Sequence, residues 1–207
     1  GTGTGTDDGL LEAFAAALAT TDADPAFAAA CLALPAEAAV ADHMATVDVD
    51  AIHRVRQDLR RALGQALASP LRATYHRLAD SGPYRTDGAA IGRRALRNAC
   101  LAWLAAAGED GVALAATQFA TAANMTNSLA ALDILAATDS PARTTALETF
   151  HTRWRHEELV LDKWFAIQAL SPRPDTLAQV QALSRHSDFD LRNPNRARAL
   201  LASFPAN

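Results

Sequence analysis

Six histidines, His43, His53, His76, His151, His156 and His186, are the side chains of this 207-residue chain best suited to hold a metal or move a proton. A hydrolytic zinc centre on a helix needs His-Glu-x-x-His. Two imidazoles one turn apart ligate the ion from one face, and the glutamate activates water. No two histidines here are four residues apart. His156-Glu157-Glu158-Leu159-Val160 begins like that string but ends on Val160, which has no lone pair to offer. His156 and Glu157 are expected to be solvated residues at a helix start. His151 and His156 fall on different helix faces and are expected at the surface or capping a helix. Cys31 and Cys100 sit in apolar Ala-Ala-Cys-Leu-Ala and Asn-Ala-Cys-Leu-Ala contexts. Small buried hydrophobes are expected there, not a disulfide or a metal pair. No metal ligand, no catalytic residue and no cofactor of its own is therefore expected in this chain. It has no Gly-x-Ser-x-Gly elbow, no Gly-x-x-x-x-Gly-Lys loop and no Gly-x-Gly-x-x-Gly opening a helix. A Ser-His-Asp triad assembled from distant residues has no local spacing to read.

Caps and prolines mark out the elements that would have to position any site. A helix is expected after Asp7 or Asp8, burying Leu10, Leu11, Phe14 and Leu18. Asp24-Pro25 is a cap followed by a first-turn proline, and Pro35 precedes a helix around residues 38–44. Asp48 or Asp50 caps a longer helix with Ile52, Val55, Leu59, Leu63 and Leu67 at helical spacing. Ser69-Pro70 ends it and opens the next, through Tyr75 and Leu78. Asp80-Ser81-Gly82-Pro83 is the clearest loop, and Asp87 caps a helix over 91–107. Gly108 and Gly111 bracket a turn before a helix over 112–122. Thr126 or Asn127 caps a helix carrying Leu129, Leu132, Ile134 and Leu135. Ser140-Pro141 repeats the cap-then-proline device ahead of Leu147, Phe150 and Trp154. A further helix carries Leu159, Val160, Trp164, Phe165 and Ile167. Pro172 and Pro174 break the chain, Leu177, Val180 and Leu183 form a short helix, and Asn193-Pro194 opens the last.

Composition agrees with these signals. Alanine, the best helix former, is the commonest residue, and aromatic residues are only 6%. A strand-rich protein would need more Val, Ile, Thr and aromatics. The expected fold is all-α, an irregular α-solenoid of the armadillo or HEAT kind, because many short helices succeed one another through tight turns. A four-helix bundle would need fewer and longer helices. A net charge of -4 argues against nucleic acid as a partner, since such binders carry a basic stripe. No apolar run is long enough to span a bilayer and no secretory leader is visible, so no membrane partner and a cytoplasmic location are expected. Residues 1–6, Gly-Thr repeated, read as a linker or an expression remnant, and residues 7–207 as a single helical-repeat domain.

Four strings are uncommon: Ile91-Gly92-Arg93-Arg94-Ala95-Leu96-Arg97-Asn98-Ala99-Cys100-Leu101, Asn124-Met125-Thr126-Asn127-Ser128-Leu129-Ala130-Ala131-Leu132, Asp162-Lys163-Trp164-Phe165-Ala166-Ile167-Gln168-Ala169, and Asn193-Pro194-Asn195-Arg196-Ala197-Arg198-Ala199-Leu200. In this order they resemble the C-terminal helical-repeat domain of bacterial aminopeptidase N (alanyl aminopeptidase), a zinc metallopeptidase family. The resemblance covers the chain from about Pro35 and is weakest before it. It implies a superhelix of helix pairs that packs on the catalytic domain of the same polypeptide and walls the chamber through which peptides reach the zinc. Zinc would then belong to the parent enzyme, and this segment alone would be inactive. The resemblance also implies further helix pairs beyond Asn207. The domain would be cut short at its C-terminal end, with a bared apolar face that lowers stability or favours self-association.

One residue is carried over from the family pattern. The second arginine of Asn-Pro-Asn-Arg-x-Arg, here Arg198, lies close to the catalytic chamber in relatives. As a substrate-channel residue it would attract a peptide's carboxylate or polar backbone. As a structural residue it would pair with a helix C-terminus or an acidic neighbour. Asn124 and Asn127 are expected to cap helices. Trp154, Trp164 and Phe165 are expected as core anchors between helix layers, and Asp162-Lys163 as a solvated face. The alternative to an aminopeptidase segment is a stand-alone helical scaffold that binds a peptide or protein in its concave face.

Overall fold

A computed structural model describes residues 8–20, 23–80 and 82–206. The linker expected over residues 1–6, and Ser81 of the expected loop, lie outside them. Every regular element among the described residues is helical, and there is no strand. None of these helices is long and apolar enough to cross a membrane. Contacts group the chain into two compact units, Gly1–Leu114 and Ala115–Asn207.

The first unit is built from α1 (Asp8–Ala19), α2 (Pro25–Cys31), α3 (Glu37–Ala41), α4 (Val49–Ala66), α5 (Ala68–Arg77) and α6 (Gly88–Ala107). Aspartate caps start three of them. Asp24, Asp48 and Asp87 accept the backbone N–H of Phe27, Ala51 and Ala90 at 3.0, 2.9 and 3.1 Å. Each such cap is worth about 1 kcal/mol. The stripe on α4 is centred on Ile52 and Leu63, which are buried, and Val55, on its flank, is exposed rather than buried as its spacing suggested. Helix α6 packs against α2, α4 and α5, burying Leu96, Cys100 and Leu101 completely. Its Gly92 lets the backbone of Ala26 come close, since a Cβ there would stand 3.0 Å from the Ala26 nitrogen. Trp103 donates its indole N–H to the Leu32 carbonyl at 3.1 Å and meets Phe14 edge-on at 5.2 Å.

The division falls within α7 (Glu109–Thr121). Ser69 and Pro70 fall inside the first turn of α5 rather than ahead of it, and Gly111 also departs from the expected position. It lies inside the first turn of α7, not in the turn before it. A Cβ at Gly111 would stand 2.1 Å from the Leu104 carbonyl, so glycine is required by close approach rather than by a bend.

The second unit contains α8 (Met125–Ala136), α9 (Pro141–Trp154), α10 (Glu158–Ala169), α11 (Thr176–Leu183) and α12 (Pro194–Ala197). Asn124 caps α8, accepting the Asn127 N–H at 2.9 Å, and Thr126 and Asn127 fall inside the first turn instead. The extended backbone of Asn124 places its amide oxygen over the helix end. Asn127 is buried, and its carbonyl accepts a bond from the buried Gln118 side chain at 3.0 Å. Trp164 and Phe165 anchor the core of this unit, with the Trp164 indole N–H donated to the Leu147 carbonyl at 3.0 Å. Asn193 caps α12 by accepting the N–H groups of Asn195 and Arg196. The helix then widens into a π-helical turn, Arg198–Ala202, in which the Ser203 N–H reaches back to the Arg198 carbonyl at 3.1 Å.

Candidate functional site

Leu159, Asp162, Lys163 and Ala166 recur at the spacing of one helix face, and they line one side of an open cleft on the second unit. Asn195, Arg198, Ala199 and Ser203, again at helical spacing, line the other side. The cleft encloses about 490 Å³. Leu159, Ala166 and Ala199 supply its apolar lining, and Asp162, Lys163, Asn195, Arg198 and Ser203 its polar groups. The π-helical turn begins at Arg198. Such a turn inserts one residue into the helical ladder and re-aims the side chains on either side of it, and it recurs at functional sites.

Charge in the cleft is set by one buried ion pair. Arg196 donates from Nε to the Asp162 carboxylate, and its Nη1 donates to the Asp188 carbonyl. The Arg196 and Asp162 side chains are only 6% and 14% exposed, and the Arg196 guanidinium also lies over Phe165 at 5.3 Å. The sequence reading placed Asp162 on a solvated face. It is corrected: a buried guanidinium needs a carboxylate partner, and Asp162 supplies it. Lys163 is exposed, as expected. Asp162 being neutralised, Lys163 and Arg198 leave the cleft positive. Neither cation has an acidic partner among the described residues. The cleft can therefore receive an anionic or carbonyl-rich group from solvent.

A second constellation lies in the same unit. His151, on α9, hydrogen-bonds the Asp188 carboxylate at 2.7 Å, and the Asp188 backbone N–H donates to Nδ1 of His186 at 3.1 Å. The rings of His151 and His186 meet edge-on at 5.1 Å, and Trp164 lies 4.7 and 5.4 Å from them. His151 is thus a half-buried, paired residue and not the surface histidine its spacing suggested. Burial raises the Asp188 pKa, but the His151 hydrogen bond and the charges of His151, His186 and Arg155 outweigh it and hold the carboxyl below its ordinary range. Burial, with His151 and Arg155 beside it, lowers the pKa of His186 against the opposing pull of Asp188.

Other expected residues fall where their surroundings dictate. Arg198 lines the cleft and is exposed. Trp154 is half-buried, and His156 and Glu157 are exposed at the start of α10. Cys100 is buried, with its thiol pushed up to about 12 by burial, and Cys31 is a free, partly exposed thiol. Sequence reasoning missed the Asp162–Arg196 pair and the roles of Asn195 and Ser203 in the cleft. Asn195 stands three residues before Arg198, a helical spacing, whereas Ser203 stands five after it and lines the same cleft across the π-helical turn, which the sequence does not announce. No sequence signal joins Asp162 to Arg196, because their pairing is set by how α10 meets α12.

Comparison with known proteins converges on one family. The family model described as "Domain of unknown function (DUF3458_C) ARM repeats" matches residues 2–207. The chain is 42% identical over 199 residues to Aminopeptidase N of Caulobacter vibrioides, covering 96% of this chain and 23% of that protein. It is 40% identical over 197 residues to Aminopeptidase N of Escherichia coli strain K12, covering 94% of this chain and 22% of that protein. The chain thus spans less than a quarter of the length of these relatives. Among solved structures, aminopeptidase A of Legionella pneumophila in complex with aspartic acid superposes over 100% of this chain and 25% of its own, with a TM-score of 0.88 and 27% sequence identity. The ARM repeats of the matching family agree with the helical-repeat class expected from the sequence. This chain belongs to the DUF3458_C family of ARM-repeat domains.

Proposed function

We propose that this DUF3458_C chain is the C-terminal helical domain of an aminopeptidase N. In that reading the parent uses zinc to remove N-terminal residues from peptides, and the zinc ligands lie elsewhere in its polypeptide. This segment packs on the catalytic domain and walls the substrate chamber. Arg198, with Lys163 beside it, holds a polar or carboxylate group of the peptide. The observation that carries the reading is the match, over nearly all of this chain, to under a quarter of proteins named Aminopeptidase N. The positive, open cleft around Arg198 supports the role of that residue.

The experiment uses the full-length polypeptide that carries this chain. Arg198→Ala is expected to raise KM for peptides about tenfold with kcat nearly unchanged, the signature of a lost charge-assisted hydrogen bond of about 1.5 kcal/mol made equally in ground and transition states. An unchanged KM in a folded variant removes Arg198 from the substrate path. The purified 207-residue chain is expected to show no turnover of an alanyl chromogenic substrate. Turnover by this chain alone, abolished by a chelator, overturns the assignment of the zinc to another segment.

A further inference from the structure

We infer that His151, His186 and Asp188 form a binding site for a borderline divalent cation of the Zn²⁺ class. One donor atom from each of the three residues lies within 4.8 Å of the others. Two donors on a tetrahedral zinc, each about 2.0–2.1 Å from the ion, stand about 3.3 Å apart. The spacings here bracket that value: His151 Nε2 is 2.7 Å from Asp188 Oδ2, and His186 Nδ1 is 4.0 Å from the same oxygen. Changes of about 0.6–0.7 Å in these two spacings, with the His151 and His186 nitrogens drawn in from their separation within 4.8 Å, satisfy the ion.

The protonation pattern suits a ligand set. His186 Nδ1 already presents its lone pair, accepting the Asp188 N–H, and a cation is the stronger Lewis acid for that lone pair. Asp188 brings the negative charge. Binding displaces the proton shared by His151 Nε2 and Asp188 Oδ2; on a neutral imidazole it passes through solvent to Nδ1, which frees Nε2 for the ion with no net proton release. Two imidazoles and one carboxylate favour Zn²⁺, Ni²⁺ or Cu²⁺ over Ca²⁺ or Mg²⁺. Trp164 and Phe165 back the rings with an apolar wall. The side chains are 17%, 30% and 25% exposed, which leaves a path for the ion and a fourth position for water. Arg155 and the Arg196 guanidinium on the Asp188 carbonyl oppose the cation, which limits its affinity.

The test is titration of the 207-residue chain with Zn²⁺ by calorimetry in two buffers of different ionisation enthalpy, and with Co²⁺ by visible absorption. One equivalent is expected, with tetrahedral Co²⁺ bands. His186→Gln and Asp188→Asn are each expected to weaken binding at least about tenfold. His53→Ala, which removes the other histidine–carboxylate pair, is expected to leave it unchanged. Binding that survives either ligand substitution, or no saturable binding, overturns the inference. X-ray absorption on the zinc-loaded unmutated chain decides independently of variant folding. A shell with two imidazoles supports the site, and one with a thiolate or a single imidazole overturns it.

Discussion

The two units bury their interiors by different means. In the first, the core is mostly apolar: Leu63, Leu71, Leu78, Leu96 and Leu101 are buried, glycines let backbones approach, and Thr74 and Arg94 are its buried polar residues. In the second, aromatic anchors share the interior with Gln118, Asn127, Gln168, Ser171, Thr176 and Arg196. The Ser171 hydroxyl donates to the Ala136 carbonyl at 3.0 Å, and the Thr176 hydroxyl donates to the Ser171 carbonyl at 2.8 Å. An apolar core specifies shape through volume alone. A polar interior specifies which groups must face each other, and so can hold a charged cleft in place.

The contrast can be broken at its strongest point first. Asp162→Ala leaves the Arg196 guanidinium buried without its carboxylate and is expected to cost about 3–5 kcal/mol in unfolding free energy. Replacing both partners, with Arg196→Met added to Asp162→Leu, is expected to restore most of that loss. Chemical denaturation of the set gives the coupling directly, and a cost under about 1 kcal/mol for the single change would mean the pair is no more than a surface contact. In the first unit, Leu101→Ala removes a fully buried side chain and is expected to cost about 3 kcal/mol by cavity formation, with no partner substitution able to recover it.

The smallest effect sharpens the comparison through pH. His186 has a folded pKa below its ordinary 6.5. The unfolded chain therefore takes up the proton first as pH falls, and stability declines as pH drops from about 7 through the folded value. Asp188 acts in the same direction at lower pH, below the usual carboxylate value. Because His186 is partly solvated, the loss is expected to stay under about 1 kcal/mol. Unfolding midpoints measured across this range should flatten in His186→Gln. An unaltered slope in that variant would assign the acid sensitivity elsewhere.

Local chemistry made most of the fold legible. Asp24-Pro25 and Asn193-Pro194 each open the helix expected of them, because capping and proline geometry act within a few residues; Ser140-Pro141 also opens its helix, but the Ser140 side chain makes no cap hydrogen bond. Gly111 was misread because its purpose is set by Leu104, on another helix, and a turn and a close approach both select glycine. Arg198 is singled out only by the resemblance, and the structure places it on the lining of a cleft. His151 was misjudged because its partner, Asp188, lies 37 residues away, and spacing along one helix carries no information at that range.

The position of Trp164 has a practical outcome. Its indole is the flat neighbour of two imidazoles. A protonated imidazole at that range draws an electron from excited indole and dims its emission. With Trp103 and Trp154 replaced by phenylalanine, the remaining emission is an optical gauge of the ionic state of the histidine pair, without any added dye.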